Sequence, residues 1–379
     1  MKRIVLKYYS RKNLGDDLFV KIFSDYFSDC RIYLITNPFY VPKGLGKNVK
    51  IHLFSFINTF IGKAVSMLGN NDKIWNFVQH FFDYCYNKIE KNTDAIVEIG
   101  GSIFMENNRE GRKALDFGKK RKLDFHINSS LQNHGKRFVI GANLGPVYTE
   151  QYWEWIKNVL KKYNHVCLRD YSSYYMVKEL THVQYAPDVI FLTEYTKIQE
   201  DEKVVISVVN ISQYTTNEDI ISAYYRLLRE VVCYFSNKKD KVVLVSFCER
   251  EGDEIAINKL MSEISPNGYI SVCNYNSNID EILNLFANAS YVIASRFHSL
   301  ILSVIFNKPV FPISYNCKTE NYLYDLNFEG KYAKLDDLLS MKLEDILFNY
   351  KNRIIIDNSE HRKYASNQFW GLKTYLNKK

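Results

Sequence analysis

The residues best suited to chemistry gather where an apolar run stops. In Tyr291-Val292-Ile293-Ala294-Ser295-Arg296-Phe297-His298-Ser299-Leu300-Ile301-Leu302-Ser303 a strand-like stretch ends in a polar group and an apolar helix begins at once. Ser295, Arg296, His298 and Ser299 then sit on a strand-to-helix turn, beside the free N–H groups of a helix start, which attract anions. A phosphate or carboxylate is the guest such a turn suits. The competing reading has Ser295 cap the helix while Arg296 and His298 pair with surface acids. A cationic cluster at the carboxyl end of a strand favours the ligand.

Four further groups stand at similar places. Asn307-Lys308-Pro309-Val310-Phe311-Pro312-Ile313-Ser314-Tyr315-Asn316-Cys317-Lys318 is another strand that runs into a polar loop. Its Lys318 either reaches the same anion or is a solvated lysine at a helix start. Asn13-Leu14-Gly15-Asp16-Asp17 opens the helix after the first strand. Gly15 there allows close backbone approach, and Asp16 and Asp17 suit either proton removal from a sugar hydroxyl or plain stabilisation of a helix start. Gly100-Gly101-Ser102 ends a strand with small residues, without dinucleotide or P-loop spacing. Arg169 closes a further strand, facing a cleft or paired with Asp170.

The elements that must hold these groups follow from periodicity. Short apolar runs alternate with amphipathic helix-length stretches from end to end, which predicts an α/β class with parallel sheets. Strands are expected at residues 3–8, 31–36, 50–54, 95–99, 137–142 and 165–169. After the polar stretch 196–203 a second series is expected at 204–209, 241–247, 269–273, 291–294 and 309–313. Two Rossmann-like domains, 1–196 and 204–345, are expected to face each other across a cleft. A helical tail, 346–379, is placed to cross back.

Composition narrows the function classes. A formal charge of +8 favours anionic ligands, but the basic residues are dispersed, and no recognised nucleic-acid module is present, so no nucleic-acid partner is expected. The seven cysteines are scattered without metal-ligand spacing and read as reduced thiols; no metal is expected. No stretch has signal-peptide or membrane-span character, which implies a cytoplasmic protein. Between 51 and 86, Phe54, Phe56, Phe60, Trp75, Phe77, Phe81, Phe82 and Tyr84 occur among a few lysines. That pattern suits either a helix pair packed on the sheet or a peripheral contact at the inner face of the membrane.

Taken in order, Asn13-Leu14-Gly15-Asp16-Asp17, Gly100-Gly101-Ser102, Gly141-Ala142-Asn143-Leu144-Gly145-Pro146, Arg169-Asp170-Tyr171-Ser172-Ser173, Ala186-Pro187-Asp188 and Ser295-Arg296-Phe297-His298-Ser299 resemble the successive motifs of the polysaccharide pyruvyl transferases. The match continues through Lys308-Pro309 to Lys318. The resemblance implies a fold like that of GT-B glycosyltransferases, no cofactor, phosphoenolpyruvate as donor, and a pyruvyl ketal on two hydroxyls of a sugar or lipid-linked oligosaccharide acceptor. Donor contacts are expected at Arg169, Arg296, Ser299, Lys318 and Ser295 and acceptor contacts at Asn13, Gly15, Gly100, Gly101 and Ser102; the residue chemistry suits His298 as general acid and Asp17 or Asp16 as base, with a His298 imidazole left neutral by the first step as the rival base. Relatives usually carry a third glycine where Ser102 stands and Gly-Gln at Gly141-Ala142, so the acceptor sugar is not read from the motifs. The alternative on the same fold is a glycosyltransferase that uses a sugar nucleotide. A noncatalytic glycan-binding protein is the alternative from another class. General acid-base assistance contributes on the order of a hundred- to ten-thousand-fold, so His298→Ala is expected to keep the wild-type circular dichroism spectrum while losing turnover by a factor in that range.

Overall fold

The computed structural model describes residues 1–10, 12–67, 72–106, 136–196, 201–265 and 267–378, without the side chains of 62–67, 72–76 and 79. Residues 197–200 of the expected linker and the side chain of Trp75 lie outside the described part.

Strands β1 (Arg3–Lys7), β2 (Arg31–Ile35), β3 (Val49–Ile51), β4 (Ala95–Ile99), β5 (Arg137–Ala142), β6 (His165–Leu168) and β7 (Val183–Tyr185) form one parallel sheet, in the order β3-β2-β1-β4-β5-β6-β7. Strands β8 (Lys203–Ser207), β9 (Lys241–Ser246), β10 (Ile270–Asn274), β11 (Ala289–Ala294), β12 (Val310–Ser314) and β13 (Ala333–Lys334) form a second, in the order β10-β9-β8-β11-β12-β13. Central strands such as β4 and β9 are near-continuous apolar runs because helices cover both faces of a parallel sheet. The two short outer strands β7 and β13 were not expected from the sequence. Runs of two or three residues carry too little pattern to register.

In each sheet the strand order reverses at the first strand, which leaves a crevice at the carboxyl ends where ligands bind in folds of this kind. The two crevices meet. Leu14 N–H donates to the Phe247 carbonyl at 3.3 Å, and Lys12 pairs with Glu249 at 3.5 Å. One hydrophobic core runs through both halves, joining Phe19, Phe23 and Ile99 to Val205, Phe286 and Leu300.

Ile346 and Leu347 of the helix Leu343–Lys351 pack into the core of the second sheet. The chain then returns to the first. Phe369 packs against Phe23, Tyr26 and Phe27, with ring centroids 5.8, 4.5 and 5.5 Å away. Gln368, fully buried, accepts from Gly141 N–H at 2.8 Å and donates to the carbonyls of Leu168 at 3.2 Å and Ala186 at 2.7 Å. One side chain thus ties the ends of β5 and β6 to the segment that follows β7. Each buried polar group left without a partner costs about 1–3 kcal/mol, so Gln368→Ala is expected to destabilise the protein by about 3 kcal/mol, read as a lower midpoint in thermal denaturation.

Candidate active site

Two helix starts face each other across the crevice. The first belongs to the helix Leu14–Tyr26, whose N-cap Asn13 accepts from Gly15 N–H at 3.0 Å. The second belongs to the helix Phe297–Ile305, which has no side-chain cap. They interlock tightly: a Cβ at Gly15 would lie 2.0 Å from Nδ1 of His298, so the imidazole fills the space a side chain would take. Gly101 behaves alike, since its Cβ would lie 2.0 Å from Nη2 of Arg169. Both glycines were expected to contact an acceptor and instead accommodate protein side chains. Asn13 is likewise committed through its carbonyl oxygen, as a cap.

The expected donor contacts divide in the same way. Arg296 is buried and forks onto Asp253, with Nε 3.0 Å from Oδ2 and Nη2 on Oδ1, while Nη1 pairs with Glu251. Arg169 is buried and held by Asp188 at 2.9 Å and by Asn143 at 2.8 Å, with the Phe297 ring 4.8 Å away. Its partner is not Asp170, which caps its own short helix by accepting from Ser173 N–H at 2.7 Å. A buried guanidinium without a counter-charge would be prohibitively costly, so the fold supplies its own carboxylates. Both arginines, expected as donor ligands, are members of buried ion pairs in the structure. Ser295 is occupied as well, its hydroxyl accepting from Tyr224 OH at 3.1 Å.

Asp17, expected as a base, is engaged as well. It is fully buried and accepts from Tyr40 OH and, at 2.7 Å, from Tyr275 OH of the opposite domain. Ser277 Oγ donates to Tyr40 OH at 2.8 Å and extends the network. Burial pushes Asp17 up to about 6, against the pull of the two tyrosine hydroxyls. It joins the domains and is not placed to meet a sugar.

What faces the crevice is a smaller set. Asp16, His298 and Lys318 are each partly exposed, and Ser102 is exposed. Asp16 Oδ1 lies 3.6 Å from where a Cβ of Gly100 would be, a position whose φ of +146° suits glycine. Lys318 Nζ lies 3.5 Å from Ser102 Oγ across the crevice and 4.0 Å from the Phe297 ring centroid, and among the described residues it makes no ion pair. The amides of Phe297 and His298 donate to no described acceptor. Among the described residues, His298 Nε2 and the fully buried Ser299 Oγ have no hydrogen-bond partner either.

The charge environment fixes where protons reside. Burial, with Asp17 nearby, pushes Asp16 up to about 8. Burial also holds His298 well below its usual value, and Lys318, Arg169 and Arg296 add to the effect. Lys318 is pulled down by burial and by Arg169. Near neutrality Asp16 therefore carries a proton and His298 does not, the reverse of the expected acid and base. An arriving anion pushes Lys318 and His298 back up, favouring the charged lysine and leaving the histidine able to accept a proton.

Sequence reasoning passed over the groups that neutralise the arginines. Asp253 and Glu251 stand just past β9 in Glu249-Arg250-Glu251-Gly252-Asp253, an acid-rich strand end at the same rim. Asp188 lies in Ala186-Pro187-Asp188, just past β7, where nothing in the local sequence points to Arg169.

A family model described as Polysaccharide pyruvyl transferase matches residues 13–316. No curated protein matches the chain. Among solved structures the chain is similar to the UDP-GlcNAc 2-epimerase of Methanocaldococcus jannaschii in complex with UDP-GlcNAc and UDP, at 10% identity and a TM-score of 0.60, over 98% of this chain and 99% of that one. It is also similar to the Neisseria meningitidis UDP-GlcNAc 2-epimerase bound to UDP-GlcNAc, at 8% identity and a TM-score of 0.57, over 100% of both chains. The S. aureus MnaA structure with UDP gives 11% identity and a TM-score of 0.60, over 100% of this chain and 97% of that one. Such identities show a shared fold, the paired Rossmann-like domains of GT-B proteins, and nothing more.

Because the folded state raises the Asp16 value, ionising this carboxyl costs stability as pH climbs from about 4 towards 8. Asp16→Asn removes that cost. The variant is expected to gain thermal stability over the wild type at pH 8.5 and to gain little at pH 4, measured as melting midpoints across the range.

Proposed function

The chain belongs to the polysaccharide pyruvyl transferase family, and on that footing we propose that it moves the pyruvyl group of phosphoenolpyruvate onto two hydroxyls of one sugar in a surface polysaccharide or its lipid-linked precursor. The observation that carries this reading is the uncapped start of the helix Phe297–Ile305, where two free amides and the unpartnered Ser299 hydroxyl lie near Lys318. A helix start and one lysine suit a small, multiply charged anion. The two buried arginines act at one remove. Arg169 supports the Phe297 ring under Lys318, and Arg296 sets the turn that presents His298.

Asp16 gives its proton to the methylene carbon of the donor, and positive character develops at the central carbon. A sugar hydroxyl attacks that carbon and its proton passes to His298. The carbon–oxygen bond to phosphate then breaks, the electron pair leaving with phosphate, which takes the proton from His298. A second hydroxyl closes the ketal and returns a proton to Asp16. Both groups finish as they began, and the two hydroxyl protons are accounted for, one on the new methyl group and one on phosphate.

Incubation with phosphoenolpyruvate and a glycan acceptor is expected to release phosphate and to add one pyruvyl ketal to the acceptor by mass, with no product from a sugar nucleotide. Product from the sugar nucleotide alone would instead favour glycosyl transfer. The dependence of kcat/KM on pH reports the free enzyme's essential groups, so it is expected to fall on the alkaline side near the value of about 8 set by Asp16. A profile level through pH 9 would remove Asp16 as the acid.

A further inference from the structure

The helices Phe54–Met67 and Asp72–Lys91 cover one face of the first sheet, and they carry two stripes. Phe54, Val78, Phe82, Tyr86 and Ile89 are buried against Val5, Ile35 and Ile96. Beside that inner stripe, Leu53 in the turn just before the first helix, Phe56 and Phe60 on that helix, and Phe77, Phe81 and Tyr84 on the second point outward. Leu53 and Phe77 are each 73% exposed, Tyr84 is 65% exposed and Phe60 is 60% exposed. Spacings of three and four residues place each outward set on one side of its helix. Large apolar side chains gathered this densely mark a contact surface.

Charge says what covers it. Residues 31–71 contain no Asp or Glu and carry Arg31, Lys43, Lys47, Lys50 and Lys63. Lys43, Lys47 and Lys50 are exposed on the segment that leads into the first helix, and none of them makes an ion pair among the described residues. Aromatic side chains beside unpaired lysines, on a stretch from 31 to 71 that holds no acid, match the interface of a bilayer that bears anionic lipid. No helix among the described residues is long and apolar enough to cross a membrane, so the contact is one of lying on the surface. The face is also continuous with the active site. Phe39, 67% exposed, packs edge-on against Phe56 at 6.5 Å, while the next residue, Tyr40, turns inward and donates to Asp17 beside the crevice.

We propose that this helix pair docks the protein on an anionic lipid surface, so that the crevice opens just above the headgroups. The docking stands by itself. Its consequence, that the acceptor is presented as a lipid-linked saccharide from the same bilayer, rests on the reading of the reaction given above.

The test is co-sedimentation of the full chain with vesicles of equimolar phosphatidylglycerol and phosphatidylcholine, and with phosphatidylcholine alone, in the absence of donor and acceptor. Failure of the transfer assay therefore does not touch it. The wild type is expected to sediment with the anionic vesicles, less so as salt rises, and the double variant F60S/F77S to bind at least about tenfold more weakly with an unchanged melting midpoint. Should that variant fold poorly, K43E/K47E leaves the helices intact and is expected to lose binding to anionic vesicles. Wild type that stays in the supernatant, or binding that survives both variants, would overturn the proposal. So would sedimentation velocity showing a dimer that F60S/F77S dissociates, because a second copy of the chain would then own the face.

Discussion

The geometry of the crevice hangs on one steric fact: the imidazole of His298 occupies the volume that any side chain at residue 15 would claim. Because one helix start is notched into the other, the two domains have little freedom to slide without losing the fit. The Asp17, Tyr40 and Tyr275 network fastens the same junction from behind with hydrogen bonds that cross between the sheets. Shape therefore does at this boundary what a covalent link does elsewhere, and the groups that meet a substrate are positioned by packing before one arrives.

The second constraint is electrostatic. Of the three cations that cluster here, two are spent on the protein's own carboxylates. The trio of Arg296, Asp253 and Glu251 carries one net negative charge, and the pair of Arg169 and Asp188 carries none. This leaves the crevice nearly neutral until it is filled, while burial keeps a carboxyl there protonated and an imidazole unprotonated. A multiply charged guest meets backbone dipoles and one lysine rather than a wall of permanent charge. Such a pocket can release an anion as readily as it takes one.

Much of this was legible in the residues. The central strands announced themselves as apolar runs bounded by polar turns, and β4 and β5 lie where the pattern put them. The strand ends that carry Asp16, Ser102, His298 and Lys318 were likewise found by type and place. Partnership was not legible. Nothing local to Arg296 shows that Asp253 lies opposite it, because the two are brought together by β9 and β11, the strands on either side of β8, and not by spacing along the chain. Gly15 and Gly101 were ambiguous for a related reason: a glycine shows that something comes close, but not whether the visitor is a ligand or a neighbouring side chain.

Gln368 carries a consequence for the order in which this molecule is made. It supplies hydrogen-bond partners to Gly141, Leu168 and Ala186, so the ends of strands synthesised early remain unsatisfied until residues some two hundred positions later have emerged. During translation the second domain can complete its core while the first still waits for its clasp, an inversion of the usual amino-terminal-first sequence. The half made first is the half finished last.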